Sequence, residues 1–236
     1  SDCSMVAAGI VNPITGRKYV KSWQYDKLSD FAYSFYNKLE ITLNNSFYST
    51  LKIGKVLNTV KEKNEFLLKL KDEPYSLSNS IDQLPKHIKY DKDNIYLING
   101  FRLNTSKFLN LCKNYFLSIN CLSFNDFNFK NISFLNKNIV YKDIHAKHII
   151  FCEGYKIKDN PYFNYLPMRP TKGELLEIET EVHGTNLCLQ KHRFLLPVSN
   201  SSFKVGSNYD RENINEIPTE ITRHIIEDFF KRSSST

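Results

Sequence analysis

Apolar positions recur three and four residues apart at Trp23, Leu28, Phe31, Ala32, Phe35, Tyr36 and Leu39. That spacing gathers side chains on one helical face. It predicts a helix from about Asp26 to Glu40 whose aromatic stripe faces the core. Phe47 to Ile53 alternates as a strand would, and Gly54 is expected to end it. A second helix is predicted from Val56 to Lys71, with Val60, Phe66, Leu67 and Leu70 on one side and Glu73-Pro74 as its stop. Residues 74–93 are polar and turn-rich and read as a surface excursion. Ile95-Tyr96-Leu97-Ile98 then reads as a short buried strand. The next helix is capped by Asn104 or Thr105 and carries Phe108, Leu109, Leu111, Cys112 and Phe116.

The second half changes character. Residues 124–134 are dense in Asn, Phe and Asp without a period, and two strands, Asn138 to Tyr141 and Lys147 to Phe151, flank a Lys142-Asp143 turn. Residues 172–182 alternate as a long strand that His183-Gly184 breaks. Hairpin strands follow at about Arg193 to Pro197 and Phe203 to Asn208. Pro218 precedes a helix through Ile221, Ile225, Ile226 and Phe229. No internal repeat is present. Strands and helices mixed in this way predict an α+β (mixed α/β) class.

The chain has 236 residues and a net charge of +7, enough length for one large domain or two small ones. The basic balance raises a nucleic-acid reading. The lysines, however, are interleaved with acids, as in Lys61-Glu62-Lys63-Asn64-Glu65 and Lys69-Leu70-Lys71-Asp72-Glu73, the pattern of solvated helix faces. Five cysteines without a C-x-x-C spacing argue for a reducing compartment rather than a disulfide framework or a zinc site. His145, His148, His183 and His192 show no helical pairing with a carboxylate, so no metal is expected. No apolar run approaches the roughly 20 residues that cross a bilayer. A cytoplasmic protein with no membrane partner is the expectation.

Candidate chemistry sits in five ordered stretches. Val6-Ala7-Ala8-Gly9-Ile10-Val11-Asn12-Pro13-Ile14-Thr15-Gly16-Arg17-Lys18 sets small residues ahead of a glycine and an Asn-Pro turn. Such a backbone can approach a flat ligand closely, or simply turn into a buried strand. His148-Ile149-Ile150-Phe151-Cys152-Glu153-Gly154-Tyr155 is an apolar run ending in a small residue and a glycine, as an α/β sheet presents its carboxyl edge to a ligand. The others are Leu166-Pro167-Met168-Arg169-Pro170-Thr171-Lys172-Gly173-Glu174-Leu175, Arg193-Phe194-Leu195-Leu196-Pro197, and Phe203-Lys204-Val205-Gly206-Ser207-Asn208-Tyr209.

In this order the stretches resemble the FAD-dependent amine and D-amino-acid oxidoreductases, the group containing glycine oxidase, from about Ser4 to Phe230. Ser207-Asn208 stands where that family usually has Ala-Thr. The resemblance implies FAD as cofactor, a small amine or amino acid as substrate, and hydride transfer to the flavin. Ala7, Ala8, Gly9 and Ile10 match the segment along the flavin ring, Ser4 a hydroxyl near the phosphates, and Cys152, Glu153 and Gly154 the turn at the dinucleotide. Arg169, Lys172 and Arg193 are candidates to offset substrate or phosphate charge, or are ordinary hairpin and surface residues. The resemblance names no catalytic residue, because the cofactor carries the chemistry.

Family members open with a G-x-G-x-x-G turn and close with a Gly-x-Arg-Pro segment, and neither occurs here. The expectation is therefore an internal portion of a flavoenzyme: an incomplete FAD-binding Rossmann-like domain with a β-rich substrate domain. The expected division is 1–45 and 94–160 for the FAD side, 46–93 and 161–215 for the substrate side, and 216–236 as helix and tail. A cofactor-free binding protein, associated with nucleic acid or completed by a partner chain, is the alternative.

Overall fold

A computed structural model of the chain describes residues 2–16, 18–70, 92–179, 186–220, 222–224 and 227–228. A short helix α1 (Asp2–Val6) leads into β1 (Ile10–Val11) and the small hairpin of β2 (Ile14–Thr15) and β3 (Val20–Lys21). Helix α2 (Tyr25–Leu43), β4 (Tyr48–Val56), α3 (Val60–Leu70), β5 (Ile95–Leu103) and α4 (Thr105–Ser118) follow. Strands β6 (Ile132–Leu135), β7 (Asn138–Tyr141) and β8 (Ile144–Ala146) form a separate antiparallel sheet. The chain then returns with β9 (Leu175–Glu179), β10 (Leu187–Gln190), β11 (Phe194–Pro197) and β12 (Ser202–Gly206).

The result is a mixed α/β fold around one seven-stranded sheet, ordered β1-β5-β4-β10-β11-β12-β9. Its spine is the antiparallel β4–β5 pair, in register from Tyr48 opposite Leu103 to Val56 opposite Ile95. β10 lies parallel to β4, and the other pairs are antiparallel. Alternation sends Leu51, Ile53, Ile98, Cys188 and Leu196 to one face, where Ile14 and Phe66 cover them. Val56, Ile95, Leu97, Leu189, Leu195 and Val205 pack on the other. The sheet is curled. β5 and β11 are three positions apart, about 14 Å on a flat sheet, yet Arg102 Nη1 of β5 donates to the Pro197 carbonyl of β11 at 2.8 Å.

Several elements follow the sequence pattern, and the departures have local causes. Asn104 caps α4 as expected, accepting from Lys107 N at 3.1 Å. α3 begins at Val60 rather than Val56. Thr59 and Glu62 form a reciprocal capping box, Glu62 N donating to Thr59 Oγ1 and Thr59 N to Glu62 Oε2, both at 3.1 Å. Of its expected apolar side, Phe66 is buried whereas Val60 and Leu67 are exposed. β4 does not stop at Gly54. A Cβ there would lie 2.9 Å from Ile95 and 3.1 Å from Leu189, so the glycine admits neighbouring side chains within a continuing strand. β5 runs on to Leu103 because β4 pairs with it throughout.

The expected Lys147–Phe151 strand is instead β8, at Ile144–Ala146. The two-residue Lys142-Asp143 turn sets Tyr141 opposite Ile144 and so fixes pairing directly after it. Residues 147–153 are irregular, and Ile150 is 83% exposed, because no described strand lies beside them. The α2 stripe is not core. Helix α2 has no fully buried residue, and Phe31 is 69% exposed. Its apolar face is broader than the start of β4 can cover: Tyr36 reaches Tyr48 with ring centroids 4.9 Å apart, while Phe31 and Phe35 stack on each other.

Residues 220, 222–224 and 227–228 are helical where the helix after Pro218 was predicted. The excursion at 74–91, the end of the 172–182 strand, His183-Gly184, Arg17, Ile221, Ile225, Ile226 and Phe229 lie outside the described residues.

Candidate functional site

The opening stretch is held by its own backbone. Thr105 Oγ1 donates to the Ala7 carbonyl at 3.0 Å, and Leu103 N donates to the Gly9 carbonyl at 2.9 Å. Gly9 has φ of 69°, and a Cβ there would sit 1.8 Å from the Leu103 oxygen, so only glycine fits. The close approach at this glycine is thus to β5. Ala8 and Ile10 are half-buried against the core, whereas Ser4 is exposed on α1. Beyond Ile10 the chain crosses the curled sheet, Asn12 Nδ2 donating to Gln190 Oε1 at 2.7 Å and Ile14 becoming fully buried.

Cys152 is exposed, and Glu153 Oε2 accepts from the buried Asn160 Nδ2 at 2.7 Å. Gly154 opens a 3-10 turn (Gly154–Asp159) with φ of 59° and nothing within 4 Å of where a Cβ would be. Its neighbour Tyr155 donates to Glu216 Oε1 at 2.9 Å, and that bond raises the phenol's pKa first, burial second.

A cleft of about 1180 Å³ opens at the other end of the β4–β5 pair, lined by Tyr19, Lys55, Glu62, Gln190, Arg193 and Asn208 among others. Arg193 is the one expected charged residue that lines it. Arg169 is exposed elsewhere. Lys172 is spent on structure: its Nζ donates to Asn215 Oδ1 at 2.8 Å and to the Ile217 carbonyl, and it lies 3.7 Å from Glu174 Oε1. Glu174 is in turn bound by Thr219 N, Thr219 Oγ1 and Asn208 Nδ2 at 2.7, 3.0 and 2.8 Å. Burial pushes the Glu174 pKa up, but hydrogen bonds from Thr222, Thr219 and Asn208 outweigh it and leave it low.

Lys55 is the cleft residue that sequence reasoning missed. Only 5% exposed, it makes no hydrogen bond or ion pair among the described residues, and burial lowers its pKa to about 8. Nearby Cys188 is pushed up to about 12 by burial, with Lys55 and Arg102 pulling the other way. Arg102 is also lowered by burial, and its buried Nε has no hydrogen-bond partner among the described residues. The signal for Lys55 was present: Leu51, Ile53, Lys55 and Leu57 share the inward phase of one strand.

No protein-family model matches the chain. Solved structures do. Iminodiacetate oxidase from Chelativorans sp. BNC1 matches 98% of this chain and 69% of its own, at 13% identity and a TM-score of 0.73. Glycine oxidase from Geobacillus kaustophilus matches 98% of this chain and 68% of its own, at 10% identity and a TM-score of 0.77. L-proline dehydrogenase from P. horikoshii matches 94% of this chain and 65% of its own, at 10% identity and a TM-score of 0.61. No helix of the described residues is long and apolar enough to cross a membrane. The curled sheet with its flanking helices thus shares its fold with these solved oxidase and dehydrogenase structures.

Proposed function

We propose that this chain forms the substrate side and part of the flavin side of an FAD-dependent oxidoreductase acting on an amine or amino acid. The observation carrying the reading is the fold likeness to glycine oxidase, which runs over 98% of the chain at a TM-score of 0.77. On this reading 46–93 and 161–215 are the β-rich substrate side, and 1–45 and 94–160 contribute to an FAD-binding Rossmann-like side, the two joined through β1 and β5.

The residues fit one wall of a flavin site. Ala7 and Ala8 are small and half-buried, Gly9 is pinned to β5, and Arg102, paired with Ile10, has no acceptor for its buried Nε among the described residues. Gly154 offers an open backbone at the start of a turn. Ser4, Ala7, Ala8, Gly9, Ile10, Cys152, Glu153 and Gly154 would hold FAD, which when bound accepts the hydride equivalent from the substrate carbon. The work of the chain's own residues is orientation and exclusion of water. A cytoplasmic location goes with this reading.

The test is the visible spectrum of the protein after mixing with FAD and gel filtration. Flavin absorbance that travels with the protein is expected. A colourless protein fraction, with unchanged flavin fluorescence on titration, would overturn cofactor binding by this chain. A second reading, completion by a partner chain, is favoured by the exposed Trp23, Phe31, Ile41, Phe124, Phe134 and Ile150. Light scattering that shows only monomer, with no binding of an apolar dye, would exclude it.

A further inference from the structure

Lys55 combines three properties that do not sit together by default. It lies on the inward face of the central strand, it lines the cleft, and nothing in the described protein neutralises it. A buried ammonium stays charged only with an opposite charge or hydrogen-bond acceptors nearby. As a donor-only group it can be completed only by an acceptor, and a carboxylate supplies both needs.

The groups around it do not supply them. Tyr96 and Gln190 flank it on β5 and β10, and the Cys188 thiol of β10, its pKa pushed up by burial, carries no charge to pair with it. The cleft's acids are engaged or turned outward. Glu62 Oε2 accepts from Asn58 N and Thr59 N at 2.9 and 3.1 Å, and Asp210 Oδ1 accepts from Glu212 N and Asn213 N at 2.8 and 3.0 Å. Glu65 and Glu212 are exposed. Lys191, His192, Arg193 and Arg211 are the other basic groups lining the cleft, so the charge there is mixed. Mixed charge suits a small acid that also carries an amine.

We propose that Lys55 is the carboxylate anchor of this cleft and that the ligand presents an acid group to its Nζ. The inference goes beyond the oxidoreductase reading, because Lys55 stands at the opposite end of the β4–β5 pair from the Gly9 contact with Leu103. An anion seated there raises the affinity of Lys55 for its proton, so binding and protonation are linked.

The experiment is titration calorimetry of the 236-residue protein with succinate and with inorganic phosphate, near pH 8, in two buffers of different ionisation enthalpy. Succinate, a diacid without an oxidisable amine, is expected to bind with uptake of about half a proton, and its affinity should fall roughly tenfold per pH unit above 8. Lys55→Met should abolish the uptake and weaken binding by about tenfold to a hundredfold. Lys55→Arg should bind succinate without uptake, because a guanidinium does not titrate there. Circular dichroism of both variants separates loss of the anchor from loss of the fold. Uptake that persists in folded Lys55→Met, succinate that does not bind the parent protein, or phosphate that binds more tightly than succinate would each overturn the proposal. Flavin retention on the same preparation keeps the two readings apart. Flavin bound without succinate binding sinks the anchor alone, whereas succinate binding with proton uptake but no flavin sinks the cofactor reading alone.

Discussion

The curled sheet and the segments beside it solve the burial problem differently. Every fully buried large apolar side chain among the described residues lies on the sheet, on its bordering turns, on the β2–β3 hairpin or on α3; none lies between residues 105 and 179. α2, α4 and the small β6–β8 sheet leave aromatics uncovered: Phe31 is 69% exposed, and Phe116 and Phe134 are exposed as well. A curled sheet supplies its own neighbours, since each strand covers part of the next and the N-terminal segment closes one face. A helix with one broad apolar stripe has to find another layer. The sheet is therefore a self-sufficient body. The helices are surfaces in search of one.

The sharpest way to break this contrast is to cut the same residue type from each region. Phe66 is fully buried and meets Tyr19 and Tyr96 edge-on, at centroid distances of 5.3 and 5.5 Å. Phe66→Ala should cost about 3–5 kcal/mol of unfolding free energy. Phe31→Ala on α2 should cost no more than about 0.5 kcal/mol. Urea unfolding of the two variants measures both. Equal losses would mean that α2 is covered in solution and that the contrast is wrong.

The same division explains what could be read from the sequence. Elements set by local chemistry were legible: the Asn104 cap, the β11–β12 hairpin, and the alternation that begins β4. Pairing partners were not. β10 is four residues long, covered on both faces and parallel to β4, so it shows no alternation and was missed. Gly54 read as a stop because its local preference is for a turn, and the side chains that make it useful come from Ile95 and Leu189. For the site, Arg193 lines the cleft, and the close approach expected at Gly9 towards a flat ligand is taken up by the Leu103 backbone. Lys172 was chosen for its charge, and the acids and carbonyls that absorb that charge lie up to 45 residues away. Lys55 was passed over because a lysine is normally taken as a surface residue.

A smaller effect separates the two glycine turns that carry the flavin reading. Gly9 and Gly154 both have positive φ, at 69° and 59°, but a side chain at Gly9 would strike the Leu103 carbonyl while Gly154 faces open space. Gly9→Ala should lose about 3 kcal/mol, backbone strain plus the displaced hydrogen bond. Gly154→Ala should lose only about 1 kcal/mol, the left-handed penalty alone. Thermal melts give the ranking, and hydrogen exchange at Leu103 N reports whether the Gly9 contact is the one broken. If Gly154→Ala proved the more damaging, that turn would be packed in solution and could not be an open backbone for a ligand.

The smallest effect tests where the self-sufficient body ends. Glu174 at the start of β9 receives Thr219 N at 2.7 Å, and Asn208 Nδ2 bridges Glu174 and Thr222, so one carboxylate ties the C-terminal helical residues to the sheet. Its pKa is below the ordinary value because those donors favour the ionised form over the opposing effect of burial. For an acid with a lowered native pKa, the stabilisation is fully present above the unfolded-state pKa and is lost as pH falls through the native one. Glu174→Gln keeps the shape but gives up the charge, and should cost about 1–2 kcal/mol at pH 7. That cost should shrink towards zero in acid, where the parent carboxyl is itself protonated. Paired urea titrations at pH 7 and at pH 3 read the difference directly. A loss that stayed constant across that range would mean the bond network works through geometry rather than charge. It would also place the C-terminal helix with the outlying surfaces instead of with the sheet.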